Sequence, residues 1–420
     1  MTTTMRWLPE AAGDRFYDAV SSLNRQSQAK YGCDLLLAGY RGGAGSLRTL
    51  DEIWDALADA GAEAARLPEG HPKEYLQGML AGLRMLVRVM QGDDVPYAQQ
   101  ILDMQQVVSR PVTQEQIDGL SQLLDRELYA LGYRRGGTPE KAMAFLEEHT
   151  LSPESVVPAA KAFLGRSRQA CAARVLPLPE GDGIDDIRGV RQVIYNGNSA
   201  YLGRYKGRLS FNIDRPWSLP TFANVLCHEG YPGHHAFYCR WDVLFQRGQL
   251  PLEAAYYVKN TPTNCLFEGT PENALHFLGW DDPEDPADEV TDLEKRQFSA
   301  GRKLLDLQRM YQQNGCHYVN LEGMGERDAT AYLMSSGLFQ PSEAAGSYRF
   351  FTDATRRTYY PSYFYGRWLV WNAYRRFPRA RRGAFFRLLY DQPHTNATFI
   401  RAVTQALGTE WEPFETERSR

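Results

Sequence analysis

The sequence predicts a mainly α protein with one small β-sheet just upstream of a histidine-rich helix. Three observations predict it. Apolar residues recur at helical spacing through the first 170 positions. Residues 193–214 (VIYNGNSAYLGRYKGRLSFNID) instead carry β-branched and aromatic residues with Asn-Gly and Lys-Gly turns, which reads as short strands. Beyond them the chain returns to helical texture, dense in aromatics near its end, as in RRTYYPSYFYGRWLVWNAY.

Each element has a local reason. Thr49 with Glu52 forms a capping box before an amphipathic run through Leu67. EYLQGMLAGLRMLVRVMQG, from Glu74, keeps helical spacing and stops at Gly92. Thr113 with Gln116 opens another helix, and Thr138 followed by Pro139 opens a fourth. TLDEIWDALADAGAEAARL is too short to sustain coiled-coil heptads. After the strands, a helix starts at Ser218, is interrupted at Gly230 to Gly233, and continues to about Arg247. The acidic loop GWDDPEDPADE then precedes a long helix capped by Thr291 and Glu294. The composition shift near 170–190 divides an N-terminal helical region, 1–170, from a region carrying the site, 171–420; the two are able to form one continuous domain.

With 420 residues, 43% hydrophobic and 23% charged, the chain has material for a sizeable core. Its net charge of −4 gives no broad attraction for nucleic acid or anionic lipid. The arginines at 375, 376, 379, 381 and 382 alternate with apolar residues as an exposed helix face does. No leader-like apolar segment opens the sequence, and no run of 18 apolar residues exists to span a membrane. The six cysteines lack CxxC spacing and read as reduced thiols, so the expected location is the cytoplasm.

The segment that carries chemistry is HEGYPGHH, His228 to His235. In an H-E-x-x-H helix the two histidines lie one turn apart and reach one Zn²⁺, with the glutamate as general base. Here Pro232 occupies the place of the second histidine. Pro232 suits the first turn of a resumed helix, so GYPG reads as a break or bulge. A two-residue bulge brings His234 to the usual fifth position. His235, at i+7, would lie roughly 10 Å along an unbroken helix, too far to share a metal with His228. His228 and His234 are therefore the expected ligands, with His235 supporting them or facing substrate. A third ligand is expected downstream in FEGTPENALHF, where Glu268 and Glu272 stand at i, i+4. One would ligate and the other would hold a histidine by a hydrogen bond.

HEGYPGHH resembles the signature of the bacterial domain-of-unknown-function 885 family, in the zincin-type metallopeptidase clan. SAYLGRYKGRLSFNID, ending in the strand with Asn212, is similar to the family's upstream strand. Phe267 to Gly269 resembles its Glu-Gly element, MGERDATAYLMSSGLFQPSEAAGSYRFF the segment that follows, and Tyr363 to Gly366 a late tyrosine-to-glycine signature. The resemblance spans residues from about 190 to 380. It implies a multi-helical zincin-like fold with the small sheet beside the active-site helix. Related zincins place a glycine before the second histidine, as Gly233 precedes His234, and take the third ligand from the Glu-Gly element, which favours Glu268. Their late tyrosine bonds the oxyanion, a role that falls by position on Tyr363, with Tyr359, Tyr360 and Tyr365 as alternatives. Two segments depart from the family pattern: Thr270 to Asn273, where an aromatic run is usual, and Tyr360 to Ser362, where Pro-Gly-Gln is usual.

The resemblance thus implies a zinc-dependent hydrolase of short peptides, with Glu229 as general base and Tyr363 at the oxyanion. Asn212, Glu272, His235 and Tyr360 would support the site or touch substrate. Arg349 would bind a substrate carboxylate, and the strand from Arg208 to Asn212 would pair with an extended substrate. The departures near the cleft motivate one alternative, a metal-dependent amidase for a non-peptide metabolite. Another is an inactive relative that binds a peptide or a partner protein.

Overall fold

The computed structural model describes residues 4–193 and 195–416. The helices are α1 Glu10–Tyr31, α2 Leu50–Arg66, α3 His71–Gln91, α4 Tyr97–Gln105, α5 Gln114–Ala130, α6 Thr138–Glu148, α7 Pro153–Arg174, α8 Leu219–Glu229, α9 His234–Gln246, α10 Asn264–Glu272, α11 Ala274–Leu278, α12 Asp292–Leu321, α13 Glu326–Ser335, α14 Pro341–Thr352, α15 Pro361–Tyr374, α16 Arg382–Asp391 and α17 Asn396–Leu407. Among the described residues there are also seven short strands: β1 Leu36–Gly39, β2 Thr150–Leu151, β3 Gly183–Val190, β4 Gly197–Gly203, β5 Lys206–Asn212, β6 Trp217–Ser218 and β7 Tyr256–Val258. The protein is mainly α, as the periodicity predicts.

The expected helix starts are held by the expected groups. Thr49, Thr113 and Thr291 each accept the backbone N–H three residues on, and Glu52, Gln116 and Glu294 reach back to them. Thr138 differs, because Gly137 is the N-cap and Thr138 already lies in the helix. Gly92 closes α3 in the left-handed region (φ 94°), its N–H bonded to the carbonyls of Arg88 and Val89. A further capping box at Thr395 uses Thr398 in place of Glu or Gln, a weaker sequence signal.

The strand segment read from the sequence contains β4 and β5, and its Ile194 lies outside the described residues. The sheet has a third member, β3, whose GIDDIRGV sequence carries too much charge to announce a strand. The order is β3-β5-β4, with β3 parallel and β4 antiparallel to β5. Arg208 to Asn212 is therefore central, its backbone groups bonded on both sides. It cannot take an extended substrate as expected, and the edge strand that packs on the helix Leu219–Glu229 is β4.

Two compact units are discontinuous in sequence. One comprises Met1–Ser109, Tyr238–Glu268 and Asp353–Pro413, the other Arg110–Phe237, Gly269–Thr352 and Phe414–Arg420. The composition shift at 170 falls inside the second, at the end of α7. It marks a change from helix to strand, and β3 packs on α7. In the first unit, Tyr257 lies against Trp241 and Phe267 at ring separations of 4.5 and 4.4 Å. In the second, Phe163 contacts Trp280 and Phe298. There Gly301 lets α12 reach α8, since a Cβ would stand 2.8 Å from the Pro220 carbonyl. Among the described residues, no helix is long and apolar enough to cross a membrane.

Candidate metal centre

Ser218 is the extended N-cap of α8, and Pro220 stands in its first turn. Phe222, Ala223 and Leu226 are buried along the inner face, which leaves His228 and Glu229 as the closing residues. The chain then breaks. The Gly230 N–H still bonds to the Leu226 carbonyl at 2.9 Å, the Tyr231–Pro232 peptide is cis, and the Gly233 N–H returns to the Cys227 carbonyl at 3.0 Å. Pro232 thus lies in the connection and not, as expected, in the first turn of the resumed helix, which begins at His234. Gly233 is sterically required: a Cβ there would fall 2.0 Å from the His228 carbonyl oxygen.

This folding back brings the His228 and His234 rings to 4.7 Å between centroids, edge to face. The unit boundaries run through two continuous helices, α9 after Phe237 and α10 after Glu268. Glu272 of α10 approaches His228, and Glu268 stands one turn earlier on the same helix. Ligand atoms of His228, His234 and Glu268 all lie within 4.8 Å of one another. Two imidazoles and a carboxylate are the donor set of catalytic zinc sites that keep a fourth position for water, so these residues fit the ion that the motif implies.

Glu272 takes the supporting role. Its Oε1 lies 3.4 Å from His228 Nδ1, which turns the other ring nitrogen, Nε2, away from Glu272. Arg302 donates to Oε2 at 3.0 Å and to the Glu272 carbonyl at 3.1 Å, and Arg309 stands 3.4 Å from Oε1. Burial works against the Glu272 charge, but Arg309, His228 and Arg302 hold its carboxyl well below the usual range. It stays an anion and fixes the His228 tautomer. Replacing Glu272 by glutamine is expected to weaken zinc about 10–100-fold, the usual effect of losing such a partner. Competition against a fluorescent zinc chelator measures this, and an unchanged affinity would refute the role.

His235 lies elsewhere. Its Nε2 is 2.8 Å from the fully buried Asp182, which also accepts from the Tyr231 hydroxyl at 2.9 Å and from Arg168 Nε at 2.8 Å. Burial opposes the Asp182 charge, yet His235, Arg168 and Tyr231 keep its carboxyl below the usual range. Cys239, one turn on from His235, completes a second ligand-like group with Asp182. Three donors already share that carboxylate, one of them a guanidinium, so the group acts as a clasp. Gly207 of β5 packs against the His235 ring, where a Cβ would come within 2.4 Å of Nδ1.

The tyrosines divide the expected roles. Tyr359 donates its hydroxyl to Glu268 Oε1. Burial and the adjacent carboxylate push its phenol well up, so it remains a donor. Tyr363 is half-buried and meets the Tyr359 ring edge to face at 5.7 Å, and the buried Tyr360 ring lies 5.8 Å from it. The Tyr365 hydroxyl is bonded to the Val108 carbonyl. Glu229 is buried, and Gly197 at the start of β4 faces it: a Cβ there would stand 3.1 Å from Oε1.

Two further residues expected to support the site or touch substrate are Asn212 and Arg349. The Asn212 amide donates to the Val193 carbonyl and accepts from the Asp214 N–H, so it shapes the connection around β5. Arg349 is exposed on α14, and its carbonyl accepts from Thr352. Sequence reasoning missed Asp182, Arg168, Arg302 and Arg309. Each is an ordinary charged residue in a helix or loop, and only tertiary contact distinguishes it.

No family profile and no curated protein matches the chain. Among solved structures it is similar to a "putative lipoprotein" from Colwellia psychrerythraea, at 12% identity and a TM-score of 0.59, covering 86% of this chain and 70% of that one. It is also similar to a "putative lipoprotein of unknown function" from Shewanella oneidensis, at 12% identity and a TM-score of 0.52, covering 86% of this chain and 74% of that one. At such identity the likeness establishes the mainly helical fold and nothing about chemistry.

Proposed function

We propose that this chain is a zinc-dependent hydrolase of the zincin type, cleaving amide bonds of short peptides, as its resemblance to the domain-of-unknown-function 885 family implies. The observation that carries the reading is the meeting of His228, His234 and Glu268 within 4.8 Å, with Glu229 next in the chain to the first of them. Bound Zn²⁺ supplies Lewis acidity toward a carbonyl oxygen and toward water. Glu229 takes the proton from the attacking water and passes it to the leaving amine. The Tyr363 hydroxyl steadies the developing oxyanion. Tyr359 and Glu272 hold Glu268 and His228 in place. The outer edge of β4, the last strand in the order β3-β5-β4, supplies backbone groups to an extended substrate, and Gly197 leaves room where that strand meets Glu229.

Metal analysis of gently prepared protein, together with a peptide-library digest, tests this. About one zinc per chain and defined cleavages are expected for a His₂Glu site. Full zinc loading with uniform failure on peptides, but turnover of small amides, would replace the substrate by a non-peptide metabolite. Absent zinc with intact peptide binding would make the chain a non-catalytic binder. We place the protein in the cytoplasm on its scattered cysteines; recovery in a membrane fraction would overturn that placement.

A further inference from the structure

We infer that Asp306 is a positioning residue of the candidate metal centre: by taking one arm of the Arg302 guanidinium, it leaves Glu272 Oε1 to orient His228. The inference rests on the zinc site proposed above and names the group that keeps its supporting carboxylate in register.

His228, Glu272, Arg302, Asp306 and Arg309 all belong to one compact unit. His228 is carried by α8, and Glu272 closes α10. Arg302, Asp306 and Arg309 stand at i, i+4 and i+7 of α12, which places them on one face of that helix. Gly301, next to Arg302, lets α12 lie against the first turn of α8, so this face is anchored to the helix that carries His228. The Arg302, Asp306 and Glu272 side chains are 4, 3 and 6% exposed, which removes water as a competing partner.

Arg302 divides its guanidinium between two carboxylates. Nη1 donates to Glu272 Oε2 at 3.0 Å and to the Glu272 carbonyl at 3.1 Å, and Nη2 donates to Asp306 Oδ1 at 2.5 Å. Burial works against the Arg302 charge, but Asp306 and Glu272 outweigh it and raise the pKa above its usual value. A guanidinium facing a single carboxylate readily closes into a two-bond fork that claims both oxygens. Such a fork on Glu272 would draw Oε1 away from His228 Nδ1, which it meets at 3.4 Å. Asp306 prevents the fork by holding Nη2. Glu272 Oε1 therefore stays directed at His228, with Arg309 also 3.4 Å from it. The His228 proton is kept on Nδ1, and Nε2 is left for a metal.

The test is a double-mutant cycle between Asp306→Asn and Glu272→Gln, read as zinc affinity by chelator competition. Asparagine keeps the size of the side chain and gives up the charge that holds Nη2. We expect Asp306→Asn to weaken zinc about tenfold, the lower end of the range for a residue that orients a ligand. In the Glu272→Gln background the same change should have no further effect, because Asp306 acts through that carboxylate. Nitrogen-15 spectra of the zinc-free protein give a readout without metal. His228 should be the Nδ1–H tautomer in the wild type, and Asp306→Asn should move it toward a mixture of tautomers. Should Asp306→Asn fail to fold, Arg302→Lys takes its place in both measurements, since a lysine is a single point charge and cannot divide itself between two carboxylates. Unchanged zinc affinity, a loss that multiplies with that of Glu272→Gln, or an unmoved His228 spectrum overturns the inference. A coupled loss of zinc in a protein that cleaves no amide would sink the hydrolase reading alone. Zinc binding and cleavage indifferent to Asp306 would sink the inference alone, and a wild-type chain that takes no zinc would remove both.

Discussion

Changing His234 to alanine is expected to strip zinc from the protein and abolish hydrolysis, whereas His235→Ala keeps the metal. The two residues are neighbours, but the break at Gly233 sends their rings to different partners. His234 meets His228 and Glu268. His235 points its Nε2 at the buried Asp182. Losing His234 removes one of the three proposed ligands, and a site with two has neither the donors nor the geometry to hold zinc through purification. Losing His235 takes a donor from a buried carboxylate that keeps Arg168 and Tyr231, at a cost of about 1.5–3 kcal/mol in stability. Zinc analysis and urea unfolding of both variants separate the outcomes. If only the His235 change lost metal, the ligand assignment would be wrong.

Glu229→Gln should lower kcat/KM for a peptide substrate by about 10²–10⁴, the range for removing a positioned general base, with zinc content unchanged. Glutamine keeps the size of the side chain and cannot accept the proton. Glu229 is the last residue of α8 and is not among the grouped ligands. Full activity in the glutamine variant would remove Glu229 from the mechanism. Joint loss of activity and zinc would show that its carboxylate serves the metal.

Much of this site is legible in the sequence because its parts lie close along the chain. HEGYPGHH contains both histidines, the base and the break, and helix arithmetic separates His234 from His235 before any coordinates are known. Glu268 and Glu272 announce themselves by their spacing, although which one faces the metal group is decided by Arg302 and Arg309, 30 and 37 residues away. Capped helices are similarly plain, since Thr49, Thr113 and Thr291 act on their own next turn. Legibility ends where a role depends on distant partners. Asp182 sits in a glycine-acid loop and gains its meaning from Tyr231 and His235, 49 and 53 residues on. The sheet order defeats local reading for the same reason. Nothing in GRLSFN says that β3 will pair on its far side and make it central.

Asp182 grips Tyr231 and His235, which lie on either side of the Pro-Gly pair inside the interruption. The conformational entropy of the loop between the two histidines is therefore surrendered during folding, and little is left to lose when an ion arrives. Such a site should discriminate among divalent ions by the spacing of its donors, since a loop that cannot relax cannot reshape itself around a larger or octahedral guest.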